Sequence, residues 1–291
     1  MVEVACRLHS ACLLLKLVPA AWRQQVIAPV PKSAARIATV ADMRPIKLLE
    51  ATMKIVNGMV KERLRVAVEL AGLLDEAQHG FRAAHDTYSA AISVVALYEQ
   101  AERNHTDVWG MMWDIMGAYD TVERGVGIGL ALRRMGVGED VIEWFMECNR
   151  HNINRVRSGW EQLNEREGRA QETFEAVRGF TQGATESPLL WIVFYDMVLS
   201  QLRKEGVGKS VERSTDGGTP GAGGLSAFAD DTFFAENTAE LAQRSARVFE
   251  ETLGLVSLKV AARKSLVMAT AWDRQRRGGT AAAGGSWWDW R

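Results

Sequence analysis

Cysteine is scarce in this chain: Cys6, Cys12 and Cys148 are the only three in 291 residues. They make neither an even disulfide set nor a metal-ligand spacing. That excludes a disulfide scaffold and a cysteine-based zinc site, and it fits a reducing, intracellular compartment, nucleus or cytoplasm. Long apolar runs are also missing. A membrane-spanning helix needs roughly 20 apolar residues, and the best candidate, Pro188–Tyr195, is far shorter. The N-terminal ACLLLKLVPAA is too short and is interrupted by Lys16, so a secretory signal is not expected and the protein is read as not secreted. There is no internal repeat, and the formal net charge is only −1.

What is present is ordinary for a globular protein: 47% hydrophobic and 24% charged residues. The length allows one large domain or two smaller ones. The near-zero net charge hides an asymmetry. Residues 1–65 hold eleven Lys/Arg against four Asp/Glu, a balance of +7, and the remainder carries −8. The N-terminal part suits an anion such as nucleic acid or a triphosphate. From charge alone, a solvated basic surface is the simpler reading.

Pro29 to Pro45 reads as irregular, proline-bearing chain. LLEATMKIVNGMVKERL (Leu48–Leu64) places Leu48, Leu49, Met53, Val56, Val60 and Leu64 on one helical face. TYSAAISVVALYEQAERN predicts a helix apolar at Ile92, Val95 and Leu97, and EDVIEWFMECN a short amphipathic one. DVWGMMWDI (Asp107–Ile115) is strand-like and ends near an acid. Trp160–Thr173 is charged and aperiodic, an expected exposed loop. SPLLWIVFYDMVLSQL opens with Ser187 as N-cap and Pro188 at the first helical position, and its apolar residues fall on every side, as in a buried helix. The glycine-rich Thr215–Gly224 reads as a flexible loop. In NTAELAQRSARVFEETLG, Asn237 and Glu240 sit where a capping box would put them. The tail from Arg274 has no period and is expected to be disordered. This order predicts an α+β fold with an antiparallel sheet.

LSAFADDTFF (Leu225–Phe234) sets two adjacent acids between apolar flanks. An Asp-Asp pair alone is often just a turn. Between two short apolar strands it predicts a hairpin with the acids at its tip. Crowded carboxylates repel unless a cation is present. Magnesium suits such oxygen sites and completes its shell with water and phosphates. A third carboxylate on a neighbouring strand would let two ions sit roughly 4 Å apart, as in-line phosphoryl transfer requires. Asp114, at the end of MMWDI, is the candidate. Asp120 lies six residues on, and a turn or cap role serves it equally well.

With those residues in view, WDIMGAYDTV resembles motif A of reverse transcriptases, and FADD resembles motif C. RGFTQGATESPLL (Arg178–Leu190) resembles motif B at Arg178, Gly179, Gln182, Gly183, Ser187, Pro188, Leu189 and Leu190. SLKVAARKSLV (Ser257–Val267) resembles motif D, with Lys264 and Ser265 in place. Upstream, MRPIKLLEATMKIVNGMVKERL and QHGFRAAHDTYSAA (Gln78–Ala91) are similar to two finger motifs of the non-LTR retrotransposon branch. The six blocks run in the family's order from Pro31 to Met268. The non-LTR, group II intron-like branch fits better than the retroviral one.

The resemblance implies the fingers and palm of a right-hand polymerase: fingers over residues 1–110, a palm carrying motifs A to D over 111–272, and a tail over 273–291. It implies RNA-directed DNA synthesis with an RNA template, a DNA primer and deoxynucleoside triphosphates as partners, and two Mg2+ ions, with Mn2+ as a substitute. Asp114, Asp230 and Asp231 would hold the metals. Tyr119 would lie under the incoming sugar and select against a 2′-hydroxyl. Gln182 and Gly183 would approach the nascent base pair. Arg44, Lys54 and Arg82 would contact triphosphate or template, and Lys264 would partner the pyrophosphate. Four positions depart from the pattern: Gly117 where the branch often has Lys, Glu186 where an apolar residue is usual, and Ser257 and Ala261 for the Gly and Asn of motif D. No thumb is recognisable after motif D, which leaves room for other segments of a larger retroelement protein. It also leaves a second reading open, a non-catalytic, RNA-binding maturase-like relic. An RNA-dependent RNA polymerase fits less well, because such enzymes usually carry Gly before the acid pair, and because Tyr119 and Gln182-Gly183 point away from it.

Overall fold

The computed structural model describes residues 2–32, 39, 42–157, 172–211 and 224–270. The chain forms two compact units, each assembled from two segments: Met1–Leu73 with Tyr119–Trp191, and Leu74–Ala118 with Ile192–Arg291. The division is interleaved along the chain. Strand pairing is the cause: late strands return to early ones within each unit. Helices of ten or more residues are numbered below.

The first unit begins with α1 (Val2–Leu15) and then β1 (Gln24–Pro31), β2 (Met43–Leu48) and α2 (Ala51–Leu70). It resumes with α4 (Glu139–Cys148), β4 (Ile153–Val156) and β5 (Thr173–Glu175). Its sheet has the order β2-β1-β4-β5. The β1–β4 pair is parallel and the other two are antiparallel. Both described ends of the stretch expected to be irregular, residues 29–31 and 43–45, therefore belong to paired strands. Each proline lies on the end or outer ladder of the pair, with Pro29 opposite Pro45, where no backbone donor is lost from a central ladder. The predicted helix starts three residues late, because Leu48 belongs to β2. The Glu50 carboxylate caps it by accepting from Thr52 N (2.7 Å) and Met53 N (3.1 Å). Met53, Val56 and Leu64 are buried as expected. The expected loop at 160–173 lies outside the described residues up to 171, but Thr173 opens β5.

The second unit contains α3 (Thr87–Arg103), β3 (Val108–Trp113), most of α5 (Ser187–Lys204), β6 (Leu225–Phe228), β7 (Asp231–Glu236), α6 (Ala239–Leu255) and β8 (Leu266–Thr270). Its sheet, order β6-β7-β3-β8, is antiparallel throughout, as predicted. Strand β3 is central, so both of its faces are apolar. On one, Trp113 stacks on Phe234 (centroids 5.8 Å apart) and meets Phe249 of α6. On the other, Val108 packs with Phe233, Ala235 and the Leu97 and Ala101 side chains of α3. Of the apolar positions that marked this helix, Ile92 and Val95 are exposed. Only Leu97 of the three is buried.

Two caps also differ from expectation. The Glu186 carbonyl accepts the first bond of α5, from Leu190 N, and the Ser187 hydroxyl donates back to Thr181 O at 2.8 Å. Helix α6 is capped by Thr238, which accepts from Leu241 N at 3.2 Å, and not by Asn237. The glycine-rich loop up to 223 and the C-terminal tail lie outside the described residues. Among the described residues, no helix is long and apolar enough to cross a membrane.

Candidate active site

The register of the second unit's sheet places the acids. Trp113 pairs with Thr232, so the next residue, Asp114, comes level with Asp231. Met112 pairs with Leu266, and two further residues bring Asp114 level with Lys264 on the other side. The Lys264 ammonium lies 2.9 Å from Asp114 Oδ2 as an ion pair. Motif D is tied to the end of β3 by backbone bonds: Ala261 N to Asp114 O and Met116 N to Lys259 O, both 2.8 Å. Ser265 accepts from Asp114 N at 3.4 Å.

The acid pair sits at a two-residue hairpin turn, since Phe228 pairs with Asp231. Ala229 there has φ +58°, the left-handed region. For a residue with a Cβ this costs about 1–2 kcal/mol, so surrounding contacts must hold it. The segment Ala77–Gly80 does so from the open edge of β6. Ala227 N donates to Ala77 O and His79 N to Ala227 O, both at 2.7 Å. The side-chain oxygen of Gln78 accepts from Ala229 N (2.9 Å) and Gly80 N (2.8 Å), and its nitrogen donates to Ala229 O (3.2 Å). Gly80 runs so close to the turn that a Cβ there would overlap Ala229 N.

The electrostatics match the geometry. Burial raises the carboxyl pKa of Asp230, and repulsion from Asp231 and Asp114 adds to it, while a backbone bond and Lys264 oppose. Asp231 is raised as well, by partial loss of water first and Asp114 second. Crowded acids of this kind bind a cation or a proton. Among the described residues no group of three or more His, Cys, Asp or Glu side chains is placed to hold a metal ion by itself. The acids instead offer an open set of hard oxygen donors. That suits magnesium, which uses one or two carboxylates and fills the rest of its shell with water and phosphates. The lysine cation already drawn to Asp114 shows the demand for positive charge.

The nucleotide-contact candidates Tyr119, Gln182, Gly183, Arg44 and Lys54 belong to the first unit. Tyr119 lies in a single helical turn, Ala118–Thr121. Its ring stacks on Trp191 (5.1 Å, 15°) and meets the edge of Phe180 (6.2 Å). Its carbonyl accepts from Phe180 N at 2.7 Å. Gly179 has φ +83°, and a Cβ there would come within 2.8 Å of Tyr119 O, so motif B needs this glycine to pack on the motif A turn. Gln182 donates to Asp120 Oδ1 at 3.1 Å. Gln182 O accepts from Lys47 N at 2.7 Å, and Gly183, at φ +107°, lies against Lys47 O.

Arg44 is exposed on β2, and Lys54 sits half-buried on α2 near Glu186. Arg82, in the second unit, donates to the carbonyls of Asp75 (3.0 Å) and Gln78 (3.3 Å), which braces the loop that carries Gln78. Sequence reasoning passed over Lys47. Its ammonium is half-buried and is lowered to about 8, by burial first and by Arg124 second, with Asp120 opposing. The available signal was strand alternation, which puts Lys47 and Arg44 on opposite faces of β2. Arg124 was missed as well. Its guanidinium, nearly fully buried, ties together the carbonyls of Asn149 (2.6 Å), Gly179 (3.1 Å) and Arg178 (3.2 Å).

Comparison with known proteins adds three findings. The family model described as reverse transcriptase (RNA-dependent DNA polymerase) matches residues 30–278. The chain is 24% identical over 268 residues to the retrovirus-related Pol polyprotein from type-1 retrotransposable element R2 of Popillia japonica, covering 89% of this chain and 34% of that protein. In fold it is similar to apo telomerase from Candida tropicalis truncated from the C-terminal domain (TM-score 0.60, 11% identity, 87% of this chain and 51% of that one). It is similar as well to telomerase from Candida tropicalis in complex with a fragment of telomeric RNA (TM-score 0.61, 11% identity, 91% and 44%). The chain spans about a third of the curated relative it matches and about half of these telomerase chains.

Proposed function

Because the chain belongs to the reverse transcriptase (RNA-dependent DNA polymerase) family, we propose that it is the fingers and palm of a retroelement polymerase that extends a DNA primer on an RNA template. The observation that carries this reading is the strand register, which brings Asp114 level with Asp231 beside the Asp230 turn, with Lys264 paired to Asp114. Deoxynucleoside triphosphates are the substrates, and other segments of a larger retroelement protein are the natural partners.

Asp114, Asp230 and Asp231 would hold two magnesium ions, for which manganese would substitute. When bound, the ions supply charge neutralisation and lower the pKa of the primer hydroxyl. The acids' own contribution is a fixed cluster of negative charge at the end of β3, braced by motif D. Lys264 presents an ammonium beside that cluster, suited to charge that develops on a leaving pyrophosphate. Tyr119, locked by Trp191 and Phe180, offers a rigid aromatic surface for sugar discrimination. Gln182 and Gly183 offer backbone that a base pair can approach closely. Lys47 and the exposed Arg44 supply positive charge for triphosphate or template in the same unit.

Primer extension on an RNA template tests the proposal. The wild-type chain should incorporate deoxynucleotides with Mg2+, and Asp230→Ala should abolish incorporation. Equal activity of the two proteins would end the catalytic assignment. RNA binding without incorporation by the wild type would favour the relic reading.

A further inference from the structure

We propose that Gln78 is a positioning residue for the acid pair: its buried amide holds the strained Ala229–Asp230 turn in the one conformation that keeps Asp230 and Asp231 beside Asp114. The inference rests on the polymerase reading above and adds to it a residue with no role of its own in the chemistry.

Gln78 is fully buried, at 0% exposure. Two backbone N–H groups, of Ala229 and Gly80, converge on its oxygen, so the orientation of the amide is fixed by chemistry. The nitrogen then faces Ala229 O, and both polar groups of the left-handed residue are tied to one side chain. A residue with φ +58° and a Cβ has lower-energy alternatives nearby. Relaxation to any of them would rotate the following peptide and carry the Asp230 carboxylate away from Asp114. Gly80 closes the clamp from below, because any larger residue would overlap Ala229 N.

The clamp is itself anchored. Asp75 forms an ion pair with Arg203, and Asp75 N donates to Asp196 Oδ1 at 2.6 Å. Arg82 bonds the carbonyls of Asp75 and Gln78. Thus α5 fixes the loop, the loop fixes Gln78, and Gln78 fixes the turn. The amide is fully buried and spends its bonds on backbone groups, so its effect passes through Asp230 and Asp231.

The test compares wild type, Gln78→Met and Asp230→Ala in the full chain. Methionine keeps the length of the side chain and loses all three bonds. Two readouts are taken: single-nucleotide extension, and Mn2+ binding followed by electron paramagnetic resonance. For Gln78→Met, kcat should fall about 100-fold with KM for the nucleotide changed less than about threefold, the signature of a misplaced catalytic group. Mn2+ affinity should weaken about tenfold, the size expected when a ligand loses its orienting partner. Circular dichroism should be unchanged. A merely structural role would reduce the folded fraction and leave the Mn2+ affinity of the folded molecules alone.

Wild-type Mn2+ affinity and kcat in Gln78→Met would overturn the inference. If the wild type binds Mn2+ through Asp230 yet does not extend primers, the polymerase reading fails while the Mn2+ comparison still decides the role of Gln78. If it binds no Mn2+ through Asp230, there is nothing to position and the inference falls. Should Gln78→Met not fold, Gln78→Glu carries the same comparison: it keeps the two accepted bonds and loses the donated one, with a smaller loss expected.

Discussion

Asn57→Leu should destabilise the first unit by an amount that its surroundings set. Asn57 lies inside α2 at 1% exposure. Its nitrogen donates to Glu186 Oε1 at 2.8 Å, and its oxygen accepts from Trp144 Nε1 at 2.9 Å. Leucine keeps the branched shape and is somewhat larger, so no cavity forms and any crowding adds to the loss. It leaves a buried indole N–H with no acceptor and a buried carboxyl short of a donor. Each orphan costs about 1–3 kcal/mol, or about 2–6 kcal/mol together. Against a total stability of about 5–15 kcal/mol this is a large loss. With a urea slope near 3 kcal/mol per molar, the midpoint should fall by about 1–2 M.

Glu186→Gln is the complement. Burial pushes the Glu186 carboxyl above its usual value. The folded state then holds its proton more tightly than the unfolded one, so stability is greatest below the unfolded value of 4.5 and declines as pH rises through the folded value. Glutamine keeps the bond from Asn57 and has no charge to bury, so Glu186→Gln should lose that slope and be the more stable protein at neutral pH. Urea denaturation of both variants from pH 4 to 8 is the assay. A loss below about 1 kcal/mol for Asn57→Leu would refute the reasoning, because it would mean neither orphan is desolvated.

Two further outcomes follow from the motif B turn. Burial holds the Lys47 ammonium near 8, below the unfolded lysine value of 10.5, so the folded chain binds fewer protons between those values and stability should rise with pH across that window. Lys47→Met should remove the rise, and an unchanged slope in urea midpoints would refute it. Gly183→Ala should cost about 1–3 kcal/mol, since its φ of +107° is strained for alanine and the added Cβ would overlap Lys47 O. Nucleotide incorporation should fall with it, and a variant with wild-type midpoint and wild-type KM would contradict the close approach.

The elements that the sequence made legible are those with a strong period and one apolar face. Helices α2, α3, α4 and α6 and strand β3 fall where periodicity puts them. The misread elements share a different physics. Strands β1 and β2 hide behind prolines, which periodicity reads as breakers, although edge and terminal positions tolerate them. Ile92 and Val95 satisfy a helical face that the structure leaves exposed, because exposure of single apolar residues costs little. Caps shift by one residue where a neighbour offers a better acceptor, as Thr238 does beside Asn237.

The site divides along the same line. Asp114, Asp230 and Asp231 were legible because carboxylates between apolar strands are costly and demand an explanation, Lys264 only through the motif D resemblance, and the structure pairs Lys264 with Asp114 beside the acid pair. Lys47, Arg124 and the role of Gln78, which the sequence marks only as part of a finger motif, were not, for a common reason. Each acts on backbone groups or through burial that only the folded chain creates, and an amide or a guanidinium leaves no mark in a sequence to show that it is buried. Arg82 makes the point from the other side: its charge suggests a phosphate contact, and its guanidinium is bonded to the carbonyls of Asp75 and Gln78. A sequence thus announces the groups that suffer from being placed together more readily than the groups that hold them there. Glu186 belongs to both classes. It stands out as a departure in motif B, and only the structure supplies the Asn57 amide that lets a carboxyl be buried at that position.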